Sequence, residues 1–301
     1  MRTCLVLTAL LTANVGTAAP RPLTRNTPLV GVFRRPNIRV YEQVAEEFRA
    51  QLRAEVRILD VTARPNNAAL TQWIADNRPD LLFAVGQTAY DFLRQQPKRA
   101  PIICSLVLHR IRPSDHCIDS HVPAQSYIAL ARALLPSLRR LAILHGKPTA
   151  SQANSLARQA QRDGLLVTLI AADNDRQAIS LLAKLPRQTQ ALMLLPDLSI
   201  LSSPVFQFAL ELQFRRGTAL LGASRRQVQL GAAAAIEPVP VVLGRQAATL
   251  ARRLLARDQT VAQLNRLHNA SQAQRVIVSK STASRLALKT TGLPKNAEVI
   301  E

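Results

Sequence analysis

The chain has 301 residues, 48% of them apolar and only 4% aromatic, with three cysteines and a formal net charge of +20. These values exclude a small disulfide-stabilised domain and a disordered polyelectrolyte, and they leave room for more than one aliphatic core. The positive charge raises nucleic acid as a partner, but the arginines are spread through segments such as EQVAEEFRAQLRAEVRIL and LGRQAATLARRLLARD, with no long basic block. A solvated Arg-rich surface accounts for that pattern, and no nucleic-acid partner is expected.

The amino terminus reads MRTCLVLTALLTANVGTAAP: one Arg, an apolar run from Cys4 to Leu11, then small residues. This is the pattern of a secretory signal peptide, with cleavage expected after Ala18, so residues 1–18 are set apart from the fold and the mature chain is expected in the periplasm. The run is too short to span a bilayer, and Cys4 lies too early to be a lipidated cysteine at the cleavage site. The mature chain keeps Cys104 and Cys117, an even pair that suggests one disulfide in an oxidising compartment.

From Leu29 the pattern alternates. LVGVF reads as a strand, Arg34-Arg35-Pro36-Asn37 as a loop, and residues 40–54 as a helix with Val44, Ala45, Phe48 and Leu52 on one face. EVRILDV, DLLFAVG and PIICSLVL follow as strands, separated by NNAALTQWIADN, capped by Asn66 or Asn67, and by TAYDFLRQQ as helices. A second cycle begins near Pro136: the strands LRRLAILHG, LLVTLIAA, ALMLLPD and TALLGAS, with intervening helices TASQANSLARQAQRDG, DRQAISLLAKL and SPVFQFALELQFRRG. The tail holds a strand-like AAAAIEPVPVV, the helix GRQAATLARRLLARD and a helix-prone KSTASRLALKTTG. Such alternation argues for an α/β fold of two Rossmann-like lobes, each with a parallel sheet covered by helices on both faces. The expected division is residues 28–134 plus about 224–270 for the first lobe, and 137–223 plus about 271–301 for the second.

The corner Gly86-Gln87-Thr88 lies between a buried strand and a helix, and Pro196-Asp197-Leu198-Ser199 occupies the equivalent place in the second half. Ligands of open parallel sheets bind outside the carboxyl ends of the strands. Gly86 permits a sharp turn and close approach, Gln87 and Thr88 offer donors and acceptors, and an anionic group is favoured there. Asp197 suits an ammonium group, so two corners facing across a cleft would hold a zwitterion. Ordinary turns and helix caps account equally for these residues at this stage.

Other chemistry finds less support. The segment from Cys104 to His121 carries Cys104, His109, Asp115, His116, Cys117, Asp119 and His121, but the spacing matches no strong metal signature and a disulfide would consume both thiols. His145, Ser199 and Ser224 follow strands, yet G-x-S-x-G, P-loop and G-x-G-x-x-G motifs are absent. No enzyme activity, metal or cofactor is expected.

The ordered pieces DLLFAVGQTAYDFL, PIICSLVL, LLPSLRRLAILHGKPTASQANSLARQA, ALMLLPDLSILSS, TALLGASRRQVQLGAAAAIEPVPVVLGRQAATLARRLLA and VIVSKSTASRLALKTTGLP resemble the ABC-transporter substrate-binding proteins of the tryptophan/tyrosine type, with a type I periplasmic-binding fold. The resemblance runs from about Leu29 onward. It implies two lobes closing on a small, amino-acid-like ligand and delivery to an ABC permease or another inner-membrane partner, by a monomer and without catalysis. Carried over by position, the ligand-facing residues are Arg34 in the loop from Phe33 to Asn37, Gly86, Gln87 and Thr88, Asp197 and Ser199, and Ser224. The family's Pro-Gly-Gly-Asn-type stretch is replaced by HRIRPSDHCIDSHVPAQSY, and its tail Asn by Ser279. A ligand-sensing or protein-interaction module without a transport role is the alternative.

Overall fold

The computed structural model describes residues 26–62, 67–97, 100–107, 115–197, 199–257, 274–295 and 297–301. The expected signal peptide, Asn66 and His109 lie outside them. Two sheets organise the chain. The first is built from β1 (Leu29–Arg34), β2 (Glu55–Asp60), β3 (Leu81–Val85), β4 (Ile102–Ser105) and β5 (His116–Ile118), all parallel, in the order β2-β1-β3-β4-β5. Helices α1 (Arg39–Gln51), α2 (Ala68–Asn77) and α3 (Gln87–Leu93) link its strands.

The central strand β3 explains the layering. All five of its residues are buried, because both faces are covered. Leu81, Phe83 and Val85 join Val44, Ala45 and Phe48 of α1 in one core, while Leu82 and Ala84 join Ile74 of α2 and Tyr90 of α3 in another. Phe48 stacks on Phe83 with ring centroids 4.5 Å apart.

The second sheet has the order β12-β11-β10-β9-β8-β6-β7. Its elements in chain order are α4 (Ala124–Leu134), β6 (Arg140–His145), α5 (Ala150–Arg162), β7 (Leu166–Ala171), α6 (Asp175–Ala183), β8 (Ala191–Leu194), α7 (Ser203–Arg216), β9 (Ala219–Gly222), α8 (Arg225–Gln229) and β10 (Ala234–Pro238). After α9 (Pro240–Leu255) come β11 (Gln274–Ser279), α10 (Lys280–Arg285) and β12 (Glu298–Ile300). Strand β11 runs antiparallel to β10, and β12 lies parallel to β11. One face packs on α4 and α5 through Tyr127, Ile128, Leu156 and Ala160, the other on α6 and α7 through Leu182, Val205 and Ala209.

Two sheets with helices on both faces form the expected pair of Rossmann-like lobes, but the chain is shared between them differently from the expected ranges. Helix α4 packs in the core of the second sheet, although residues up to 134 are expected in the first lobe. Strand β10 also belongs to the second sheet, whereas residues from about 224 onward had been expected in the first lobe. Among the described residues after β10, α9 returns to the first lobe: Leu243, Ala247, Ala248 and Ala251 complete the first core beside Val44 and Phe48. The strand-like reading of AAAAIEPVPVV stops at Pro238, because Pro240 has no N–H to donate and opens α9 at its first turn.

Candidate functional site

Gly86 occupies the carboxyl end of β3 with φ +90°, a conformation that glycine adopts without steric cost. Its N–H donates to the Ser105 carbonyl at 2.8 Å, tying the ends of β3 and β4, and its carbonyl accepts from Tyr90 N at 3.1 Å. A Cβ at this position would lie 2.5 Å from Tyr41 Cζ and 2.7 Å from Tyr41 Oη. The Tyr41 ring, from the first turn of α1, therefore rests directly on the Gly86 backbone. Its hydroxyl makes no hydrogen bond among the described residues. Burial pushes the Tyr41 phenol above its ordinary pKa, partly opposed by the nearby Arg35 charge, so it remains a neutral donor at physiological pH.

Around this corner, Gln87 Nε2 donates to Asp91 Oδ1 at 3.1 Å. Thr88 is half-buried, and its hydroxyl has no hydrogen-bond partner among the described residues. Arg34 ends β1, in register with Val85 on β3. Its guanidinium contacts Glu42 at 3.1 Å and Asp60 at 3.5 Å, and its buried Nε has no partner among the described residues. Ser105 is fully buried at the end of β4, and its hydroxyl is likewise unpartnered among them. Tyr41 and Ser105 were absent from the sequence-based set. The signal for Tyr41 was its place in the helix entered from the Arg34 loop; Ser105 had none beyond its place at the end of an apolar strand.

Cys104 and Cys117 face each other on β4 and β5 and form a disulfide, with 4.5 Å between the Cα atoms. Beside it Tyr90 Oη donates to Asp115 Oδ2 at 2.8 Å, both residues being buried. The bridge and this hydrogen bond together anchor the edge strand next to the Gly86 corner.

The second corner is organised around Asp197, which is 1% exposed. Its Oδ2 accepts from Gly146 N at 3.1 Å and from Thr149 Oγ1 at 2.8 Å. Its Oδ1 accepts from Ser199 N at 3.0 Å and Ser199 Oγ at 2.5 Å. The carboxylate thus clamps the end of β6, the start of α5 and its own loop. In this conformation Asp197 is thus held within its own lobe by four protein donors, with almost no exposure. Ser199 is exposed beside it. Ser224, at the end of β9, caps α8 by accepting from Gln227 N at 3.4 Å.

Next to Ser224, Arg225 meets Glu298 through two hydrogen bonds of 2.5 Å each. Arg225 N donates to Glu237 Oε2 at 2.8 Å, and Arg275 donates to Glu237 Oε1 at 2.6 Å. This network joins α8, β10, β11 and β12. The paired Arg225 holds the Glu298 carboxyl below its usual range. A cavity of about 200 Å³ lined by Arg140, Leu166, Thr168 and Thr189 lies near the amino-terminal ends of β6 and β7, away from both corners.

Among the described residues no helix is long and apolar enough to cross a membrane. The fold is similar to that of an ABC domain from Streptococcus pneumonia solved in complex with L-Trp, at 15% identity over 90% of this chain and 100% of that one, with a TM-score of 0.69. It is also similar to a substrate-binding protein with adhesive properties from Clostridium difficile, in a ligand-free, open structure, at 13% identity over 91% and 99% of the two chains, with a TM-score of 0.71. A periplasmic ribose ABC transporter from Conexibacter woesei aligns at 14% identity over 76% of this chain and 86% of that one, with a TM-score of 0.54. At these identities the likeness establishes the fold, a type I periplasmic-binding-like arrangement. Among curated proteins, none matches the sequence. Residues 54–292, however, match the family described as ABC transporter substrate binding protein. The chain belongs to that family, and is accordingly a solute-binding protein rather than an enzyme.

Proposed function

We propose that this chain binds a small solute between the carboxyl ends of its two sheets and presents it to an ABC permease of the inner membrane. The observation that carries this reading is the Gly86 corner, where the Tyr41 and Thr88 hydroxyls lack partners among the described residues and stand beside Gln87 and Arg34. Such donors suit a carboxylate or another acceptor-rich group. Ser199 and Ser224 would form the facing wall, and Asp197 would hold that wall in shape without touching the ligand. An amino-acid-like ligand remains compatible through its carboxylate end. Its amine would need a partner other than Asp197.

The reading includes export. Residues 1–18 would act as a cleaved signal peptide, and the Cys104–Cys117 bridge is of the kind that persists in an oxidising compartment such as the periplasm. Closure of the lobes about their connecting segments would bury the ligand.

A thermal-shift screen of the chain from residue 19 against amino acids, nucleosides, organic anions and metal ions tests this function. A ligand that binds only the folded state raises the melting temperature with concentration. A saturable rise with one solute class, weakened by Tyr41→Phe, is the expected result. No rise with any small solute, beside salt-sensitive binding to polyanions, would sink it.

A further inference from the structure

Strands β6, β7, β8 and β9 lie side by side and parallel, so they begin at one end of the second sheet, opposite the end that carries Asp197 and Ser224. That end is basic. The turns into these strands and the residues beside them hold Arg139, Arg140, Arg162, Lys184, Arg187 and Arg216, all exposed, and none has an ion pair among the described residues. Asp163 is the acid in those turns; Arg215 is offset by Glu211 at 3.9 Å, and Lys280 at the end of β11 by Glu301 at 3.8 Å. Arg162 and Arg216 close helices and oppose their dipoles, but Arg139, Arg140 and Arg187 stand outside any helix. At the opposite end Arg225 and Arg275 are ion-paired with Glu298 and Glu237, and Asp173 and Asp175 add negative charge.

The basic end also carries apolar side chains in water. Leu166, Phe214 and Leu230 are 58%, 39% and 54% exposed, three of the five large apolar residues so exposed among the described residues. Leu166 opens β7, Phe214 lies in the last turn of α7 under the Arg285 guanidinium, and Leu230 follows α8 just before β10. Beside Leu166 is the cavity of about 200 Å³, into which Arg140, Thr168 and Thr189 reach. Thr189 is 5% exposed, and its hydroxyl, like that of Thr168, has no hydrogen-bond partner among the described residues. A small anion would satisfy these donors and leave the apolar side chains exposed, and so would a nucleic acid. Anionic headgroups above a hydrocarbon layer meet both needs.

We propose that this end of the second lobe docks reversibly on an anionic bilayer, with Leu166, Phe214 and Leu230 entering the headgroup boundary and a lipid phosphate seated at Arg140, Thr168 and Thr189. The cations draw the chain to the surface, and the apolar side chains add a contact that salt does not screen. The carboxyl end of the sheet, with Asp197 and Ser224, stays uncovered. The contact holds an exported chain beside membrane-bound permeases between rounds of delivery, and it does not itself depend on the solute-binding reading.

Co-sedimentation of the chain from residue 19 with vesicles, without any solute, tests the proposal. The chain should pellet with vesicles of phosphatidylcholine mixed with phosphatidylglycerol and stay in solution with phosphatidylcholine alone. Arg139→Glu, Arg140→Glu and Arg187→Glu together should weaken the partition by about tenfold or more, at an unchanged circular dichroism spectrum. A second triple variant, Arg53→Glu, Arg176→Glu and Arg226→Glu, changes the net charge equally at exposed sites away from this end and should bind nearly as the parent does. Leu166→Ser with Leu230→Ser should abolish the binding that persists in high salt. No binding to the anionic vesicles, equal losses in the two triple variants, or binding to heparin without binding to vesicles overturns the proposal. Should the first triple variant fail to fold, hydrogen exchange of the unaltered chain reads the same contact: vesicles should slow exchange in residues 184–190, and equal exchange with and without them overturns it.

Discussion

Gly146 donates its N–H to Asp197 Oδ2 at 3.1 Å, and a Cβ added to Gly146 would lie 2.6 Å from that same oxygen. The bare backbone at residue 146 is thus what lets a buried carboxylate seat against the end of β6. Asp197→Ala would leave the donors of Gly146, Thr149 and Ser199 without their acceptor. A loss of about 2–4 kcal/mol in urea unfolding is expected, because bonds to charged groups and orphaned buried donors are among the costlier deletions. Gly146→Ala should cost about 1–3 kcal/mol by overpacking the same spot.

The two corners should separate stability from affinity. Tyr41→Phe keeps the ring on Gly86 and removes only the hydroxyl, so the melting temperature should move little. Affinity for the cognate solute should fall by about three- to tenfold, the scale of one hydrogen bond. Calorimetric titration of the variant checks this, and unchanged affinity would remove Tyr41 from the site.

Helices α1 and α9 meet at Gly244, where a Cβ would lie 2.8 Å from the Val44 carbonyl oxygen. Alanine would gain about 1 kcal/mol in helix propensity. The backbone contact cannot yield as a side chain can, so overpacking of about 1–3 kcal/mol should outweigh that gain. Net destabilisation by Gly244→Ala, read from the denaturation midpoint, is the expected sign.

Replacing Cys104 and Cys117 together by alanine should cost about 3 kcal/mol, the scale for a loop of this order. A thiol reductant should lower the parent's melting temperature and leave the double variant's unchanged.

Glu298 introduces a dependence on acidity. Its carboxyl is held below the ordinary range chiefly by the hydrogen bonds from Arg225. A group depressed on folding adds stability above its unfolded pKa, and that contribution is lost as pH falls through the folded value. Melting temperatures of the parent and of Glu298→Gln should therefore differ most near neutrality and converge below about pH 4. Because the pair is partly exposed, high salt should reduce the difference.

The sequence made the central strands legible for a definite reason. LLFAV and ALML are short apolar runs bounded by turn residues, which is what burial on both faces requires. The tail was harder. QRVIVS reads as a strand only once β10 is present as its antiparallel neighbour, and HCI and EVI are too short to carry a period. Return of helix α9 to the first lobe leaves no local mark, because its apolar stripe would suit either core. At the site, Gly86 was readable from chain grammar. The four donors converging on Asp197 come from Gly146, Thr149 and Ser199, and the first two are distant in sequence. A string of letters therefore gives no sign that the Asp197 carboxylate is held by its neighbours.

Helix α9 has a further consequence, for the order in which the molecule can mature. A chain made from its amino terminus contains residues 29–118 long before Pro240, yet Val44, Phe48 and Phe83 share their core with Leu243, Ala247 and Ala251. Until α9 is released, that apolar face has no cover, and exposed faces of this kind invite misassembly. The first lobe cannot finish ahead of the second. A chain stopped after β10 would lose the cover of one lobe and two strands of the other, so neither would survive as the remnant of a truncation.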